Sequence, residues 1–65
     1  MKNKIAEFRK AKGLTQRQLA YLLDTMYQVI QRYELGTRTP TVDTAIRLAR
    51  ALNTTVEELF ILEEE

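Results

Sequence analysis

The chain has 65 residues, 45% of them hydrophobic and 29% charged, and ten Lys+Arg against nine Asp+Glu leave a net charge of +1. It holds neither cysteine nor histidine, which excludes a disulfide framework, a thiolate metal site and the commonest general base. One domain of this length hides only about 60% of the surface its unfolded chain would expose, so its stability is modest, on the order of 3–10 kcal/mol. The longest apolar run, Leu19–Leu23, is far too short to cross a bilayer. The charged N-terminus lacks the apolar stretch of a signal peptide, and a cytoplasmic protein is expected. Taken alone, the near-zero net charge argues weakly against a nucleic-acid binder.

Between the breaks at Gly13, Gly36–Pro40 and Asn53, apolar residues recur at three and four, the helix period. The first helix is predicted from about Asn3 to Lys12, with Ile5 and Phe8 inward and Gly13 as its stop. Thr15 and Gln18 have capping-box spacing at the start of the second, and Leu14 and Leu19 sit where a hydrophobic staple would close. The buried stripe of that helix is predicted as Leu19, Leu22 and Leu23. A third helix should run from Met26 to Glu34 and end at Gly36. The fourth starts after Pro40 with Thr41 as N-cap and Asp43 in its first turn, favourable to the helix dipole. Val42, Ala45, Ile46, Ala49 and Leu52 should line its inner face, and Asn53 can take the left-handed stop. Thr55 and Glu58 repeat the capping-box spacing and open a short fifth helix. The expected fold is a single all-α domain of five helices over residues 1–65.

The connection between the second and third helices is only two or three residues, so these helices must cross steeply. That is helix-turn-helix geometry, spanning about residues 15–34, and its second helix can enter a DNA major groove. A wheel at about 100° per residue puts Met26, Val29, Ile30 and Tyr33 on one side of the third helix and Tyr27, Gln28, Gln31 and Arg32 on the other. All four of the latter end in hydrogen-bonding groups, including the amides that read adenine and the guanidinium that reads guanine. A plain solvated face is the alternative, but such faces usually mix in acid–base pairs, and this one has no acid among the four.

With these stretches in place, the chain resembles the Cro/repressor-type, or XRE-like, helix-turn-helix regulators. The resemblance rests on IAEFRKAKGLTQRQLAYLL, VIQRYELGTRTP and VDTAIRLARALNTTVEELF, and covers about residues 4–60. It implies that Gln16 holds a backbone phosphate and braces the third helix. An anion is physically welcome at a helix start. It also implies a structural ion pair between Arg9 and Glu34, base-edge contacts from Tyr27, Gln28 and Arg32, and less regular ones from Gln31. The loop Thr37, Arg38 and Thr39 would lie on phosphate. Arg17 either reaches the backbone or is simply solvated. The sequence departs from the family pattern at the turn: Asp24 stands where glycine is usual, and Met26 where a serine or threonine cap is usual. Thr25 or Asp24 would then be the alternative caps. Tyr27 is bulkier than the usual residue and is read three ways: stacked on a sugar, touching a thymine methyl, or folded back onto the core.

Val56, Leu59, Phe60, Ile61 and Leu62 form an apolar C-terminal edge over 55–62, expected to make a homodimer interface in stand-alone members of the family. The alternatives pack Ile61 and Leu62 on the first helix, or form a short extended segment paired with the N-terminus. The closing Glu63–Glu65 reads as a solvated acidic tail.

The function expected from this is a sequence-specific double-stranded DNA-binding regulator, a repressor acting as a homodimer on a palindromic operator. The competing class is a protein-interaction module of the same fold, antitoxin-like or a regulator antagonist. No catalytic residues are assigned, and no metal, cofactor, membrane or small-molecule substrate is implied by any motif. The near-neutral total conceals polarity: residues 1–38 carry +5 and residues 39–65 carry −4.

Overall fold

The computed structural model of the chain describes residues 2–62. Strand β1 (Lys2–Asn3) leads into α1 (Ile5–Ala11), α2 (Gln16–Leu22), α3 (Tyr27–Leu35), α4 (Val42–Ala51), α5 (Val56–Leu59) and strand β2 (Phe60–Ile61). Five helices therefore carry the fold, as expected, and a two-stranded antiparallel pair is added. Lys2 faces Ile61 and Asn3 faces Phe60. This is the extended-segment alternative for the C-terminal edge, and it explains why α1 starts at Ile5 rather than near Asn3. Asn3 caps the helix from outside: its Oδ1 accepts the Ile5 N–H at 3.2 Å, and its Nδ2 donates to the Tyr33 carbonyl at 2.7 Å. Through Asn3 the strand pair is thus tied to the C-terminal part of α3.

Helices α1 to α4 stop by one device. After each, a left-handed residue turns the chain: Gly13 (φ 73°), Asp24 (φ 54°), Gly36 (φ 78°) and Asn53 (φ 56°). The next N–H then reaches back five residues, as in Leu14 to Arg9, Thr25 to Ala20, Thr37 to Arg32 and Thr54 to Ala49. These are Schellman closures, which satisfy the carbonyls a helix end leaves unpaired.

The helix starts differ from one another. Thr15 and Gln18 make a complete capping box, with Thr15 Oγ1 accepting the Gln18 N–H at 3.0 Å and Gln18 Oε1 accepting the Thr15 N–H at 2.8 Å. Thr55 Oγ1 accepts the Glu58 N–H at 3.2 Å. Thr41 has N-cap backbone angles but makes no side-chain cap bond. Its hydroxyl instead donates to Asp43 Oδ1 at 2.7 Å, because a carboxylate is the stronger partner. That hydrogen bond, ahead of backbone N–H groups and Arg47, holds the Asp43 carboxyl below the usual carboxylate range. The contact therefore supports the fold above that range and is lost as pH falls through Asp43's own pKa. At α3 the N-cap is Met26, which offers no acceptor, and neither Thr25 nor Asp24 substitutes for it.

Ile5, Leu19, Ile30, Leu48, Leu52 and Leu59 are fully buried, joined by Ala20, Tyr33 and Ala49. Four apolar positions differ from expectation. Leu22 and Met26 are exposed, since α2 turns Ala20 inward in place of Leu22 and Met26 precedes the first turn of α3. Val42 and Ile46 lie outside the core because α4 buries Ala45, Leu48, Ala49 and Leu52, a stripe rotated towards Leu48. Leu59 is 0% exposed, so it belongs to the core and is withdrawn from the C-terminal dimer edge. Its burial follows from α5 closing the bottom of the domain, where its carbonyl also accepts the Lys4 N–H at 2.7 Å. The Glu63–Glu65 run lies outside the described residues.

Replacing the solvent-exposed Met26 by a residue with a cap acceptor should satisfy a free N–H of the first turn of α3. Met26→Ser is expected to raise stability by about 0.5–1 kcal/mol in urea unfolding. A lower midpoint would show that the methionine side chain holds α3 by packing.

Candidate nucleic-acid interface

The inner side of α3 is anchored by Ile30 and Tyr33, and its C-terminal end is gripped through Glu34. Arg9 of α1 approaches the Glu34 carboxylate as a fork: Nε to Oε2 at 2.7 Å and Nη2 to Oε1 at 3.2 Å. Gln16 of α2 adds a third donor, Nε2 to Oε1 at 3.0 Å. The remaining Arg9 nitrogen, Nη1, donates to the Leu14 carbonyl at 2.7 Å, just ahead of the α2 capping box. One carboxylate therefore receives groups from α1 and α2 and fixes α3 relative to both. The Arg9 and Glu34 side chains are only 10% and 9% exposed, so both charges are nearly desolvated and depend on each other.

On the outer side of α3, Gln28, Gln31 and Arg32 are exposed and adjacent. Tyr27 behaves differently from these three. It is half-buried against the core, and the Arg17 guanidinium of α2 lies 4.0 Å from its ring centroid. Past the helix, Thr37, Arg38 and Thr39 are exposed. Thr37 Oγ1 donates to the Arg32 carbonyl at 3.3 Å, and the Arg38 guanidinium sits 6.0 Å from the Tyr33 ring, at the outer limit of a cation–π contact. The structure thus gathers Arg9, Gln16 and Glu34 into one cluster, nearly buried at Arg9 and Glu34 and half-buried at Gln16. It presents Gln28, Gln31, Arg32 and the 37–39 loop on the surface, and pairs Arg17 with Tyr27.

The apolar edge is elsewhere. The half-buried Val56 and Phe60 line a shallow apolar groove of about 210 Å³ with Thr39, Pro40, Val42 and Ile46, and Ile61 and Leu62, which follow Phe60 in the chain, are exposed. Among the described residues no group of His, Cys, Asp and Glu is placed to hold a metal ion. No helix among them is long and apolar enough to cross a membrane.

This arrangement has clear counterparts. The helix-turn-helix family model matches residues 5–59. The chain belongs to the helix-turn-helix family. An HTH-type transcriptional regulator of Methanothermobacter thermautotrophicus is 41% identical over 66 residues, spanning all of this chain and 96% of the relative. One from Archaeoglobus fulgidus is 35% identical over 65 residues, spanning all of this chain and 93% of the relative. Among solved structures, the restriction-modification controller protein C.AhdI from Aeromonas hydrophila superposes with a TM-score of 0.80 at 35% identity, covering 88% of this chain and 86% of that one. The protein is thus a helix-turn-helix transcriptional regulator of the Cro/repressor type, a class of DNA-binding proteins and not of enzymes.

Two contacts of this helix-turn-helix regulator had no signal in the sequence. The Arg17–Tyr27 stack joins residues on different helices across the turn, so no helical spacing announces it. The bond from Asn3 to the Tyr33 carbonyl spans thirty positions and depends on the strand pair. Val42 and Ile46 were visible as apolar residues, but their place on the outer edge follows only from the roll of α4.

Because the Arg9–Glu34 charges are buried, removing one strands the other. Glu34→Leu alone should cost about 3–5 kcal/mol, as expected when one partner of a buried pair is lost. Adding Arg9→Met should restore part of that loss, so the double variant unfolds at higher urea than Glu34→Leu. Simple additivity of the two losses would show that the charges do not depend on each other.

Proposed function

We propose that the protein is a repressor that binds a palindromic operator as a homodimer, with α3 reading bases in the major groove. The observation that carries this reading is the outer face of α3. It offers two amides and a guanidinium, all exposed, on a helix held from behind by the Glu34 cluster. Amides pair with adenine and guanidinium with guanine through two hydrogen bonds each, and that match needs a helix whose angle does not drift. Gln28, Gln31 and Arg32 are assigned to base edges.

Gln16, Arg17, Thr37, Arg38 and Thr39 are assigned to phosphates, which set register and supply much of the affinity. Gln16 suits this double duty because its amide has two N–H groups, one directed to Glu34 and one left for an anion. The charge distribution supports the same face: the half of the sequence carrying α1 to α3 is basic, and the half carrying α4 and α5 is acidic. Such polarity orients the domain towards DNA. A regulator of this kind works in the compartment that holds the DNA, and occupying a promoter is sufficient for repression.

For the second copy we assign the apolar groove lined by Val42, Ile46, Val56 and Phe60, together with the exposed Ile61 and Leu62 that follow it in the chain. One recognition helix reads few base pairs, whereas two related by a twofold read half-sites about one helical turn, 34–36 Å, apart. Exposed apolar side chains gathered at one place favour such a contact over solvent. The competing interaction-module reading draws on this same groove, and salt dependence separates the two. DNA affinity should fall steeply between about 50 and 200 mM salt, whereas indifference to DNA at both would favour the module.

Gln28→Ala and Arg32→Ala should each cost about 1–3 kcal/mol on a duplex selected from random DNA and relax one base position. Arg38→Ala should weaken all sequences alike and reduce the slope of log affinity against log salt by about 1. Wild-type binding by both base-face variants would remove α3 from the reading role. For the dimer, Ile46→Asp and Leu62→Asp are expected to give monomers in analytical ultracentrifugation with unchanged helix content. A wild-type protein that sediments as a monomer at high concentration would refute the assigned interface.

A further inference from the structure

We propose that Arg17 and Tyr27 form a single phosphate clamp, in which Tyr27 is a positioning residue and not a reader of bases. The clamp rests on the DNA-binding reading above. The Arg17 guanidinium lies 4.0 Å from the centroid of the Tyr27 ring, although the two residues sit on different helices, at the start of α2 and the start of α3. Arg17 is exposed, and among the described residues it has no carboxylate within ion-pairing distance. Its charge is therefore uncommitted except to the ring.

A cation–π contact uses the face of the guanidinium and leaves its in-plane N–H donors free. Those donors form the planar fork that matches a phosphate. A free arginine on a surface must give up much of its rotamer freedom to bind. Stacking on a ring that is itself held against the core removes part of that loss before DNA arrives.

The same geometry accounts for Tyr27. It stands at the first position of the recognition helix, where the resemblance places a base-reading residue. Yet one ring face lies under Arg17, and the residue packs against the core cluster. The ring is thus engaged before a base or a thymine methyl could meet it. Its neighbours Gln28, Gln31 and Arg32 are exposed and carry no such engagement.

The test is a double-mutant cycle read on two duplexes, one selected by the wild-type protein from random DNA and one with that sequence scrambled. Arg17→Ala should reduce the salt slope by about 0.9 on both duplexes, the loss of one phosphate contact. Tyr27→Leu should weaken both by about 3–10-fold, the cost of ordering one long side chain, while Tyr27→Phe binds like the wild type. In the Arg17→Ala background, Tyr27→Leu should have no further effect. Circular dichroism of each free variant checks that Tyr27→Leu has kept its helices, and the exposed Arg17→Ala carries the slope test whatever that check returns. A Tyr27→Leu loss confined to the selected duplex and additive with Arg17→Ala would overturn the clamp and make Tyr27 a base reader. An unchanged slope in Arg17→Ala would overturn it as well. If the wild-type protein enriches no duplex, the regulator reading fails and the clamp fails with it.

Discussion

The Glu34 carboxylate is the constraint on which the placement of α3 depends. It stands at the end of α3, receives Arg9 from α1 and Gln16 from α2, and is nearly excluded from water. Buried ion pairs seldom increase net stability over an apolar contact of the same volume, because desolvation offsets the attraction. Their strength lies in direction. A fork of two N–H donors on two carboxylate oxygens tolerates little rotation, whereas leucines sliding past each other tolerate a good deal. For the base reading proposed for the outer face of α3, a fixed angle is worth more than a further increment of burial. Arg9 also holds the Leu14 carbonyl, so the residue that orients α3 also fixes the chain entering α2.

How much of this was legible in the sequence depends on the range of the interaction. Caps and stops are local, and Thr15, Thr55, Gly13, Gly36 and Asn53 do what their chemistry dictates. Burial stripes are less local. In a helix of seven residues such as α2, Leu19 with Leu22 and Leu23 fits the period as well as Leu19 with Ala20 and Leu23. The choice falls to the helices packed on either side, as it does for the roll of α4 towards Leu48. The Arg9–Glu34 pairing came from family resemblance alone, since no spacing rule links residues twenty-five apart. The strand pair was open as one of several alternatives for the C-terminal edge. With two residues in each strand there is no alternation to detect.

Charge was misleading as a total and informative as a distribution. A net charge of +1 describes no part of this molecule well, because the acids of the C-terminal half cancel the bases of the half that carries the helix-turn-helix. The same division separates two chemistries only in part. Exposed hydrogen-bonding side chains cluster on α3 and the following loop and Pro40, Val42, Ile46 and Phe60 gather around the apolar groove, but Leu22, Met26 and Leu35 are exposed in the basic half as well. On the proposed function these are the surfaces for a polyanion and for a second copy, and Thr39, which ends the loop and lines the groove, marks their boundary.

The turn between α2 and α3 is where local preference is weakest. Asp24 occupies a left-handed conformation that costs an ordinary side chain about 1–2 kcal/mol, and Met26 leaves α3 without a side-chain cap, typically a further ~1 kcal/mol. In a domain of this size such losses are a sizeable fraction of the whole stability. They are tolerated because α3 does not rely on its own start. Ile30 and Tyr33 are packed into the core, and Glu34 is locked at the far end. A helix held by its middle and its C-terminus can carry an unoptimised N-terminus. Within that N-terminus the exposed Gln28 is free to vary in sequence without loss of the fold, whereas Tyr27 packs against the core. In this architecture the inner face of one nine-residue helix carries stability, and its outer face is left for the proposed recognition.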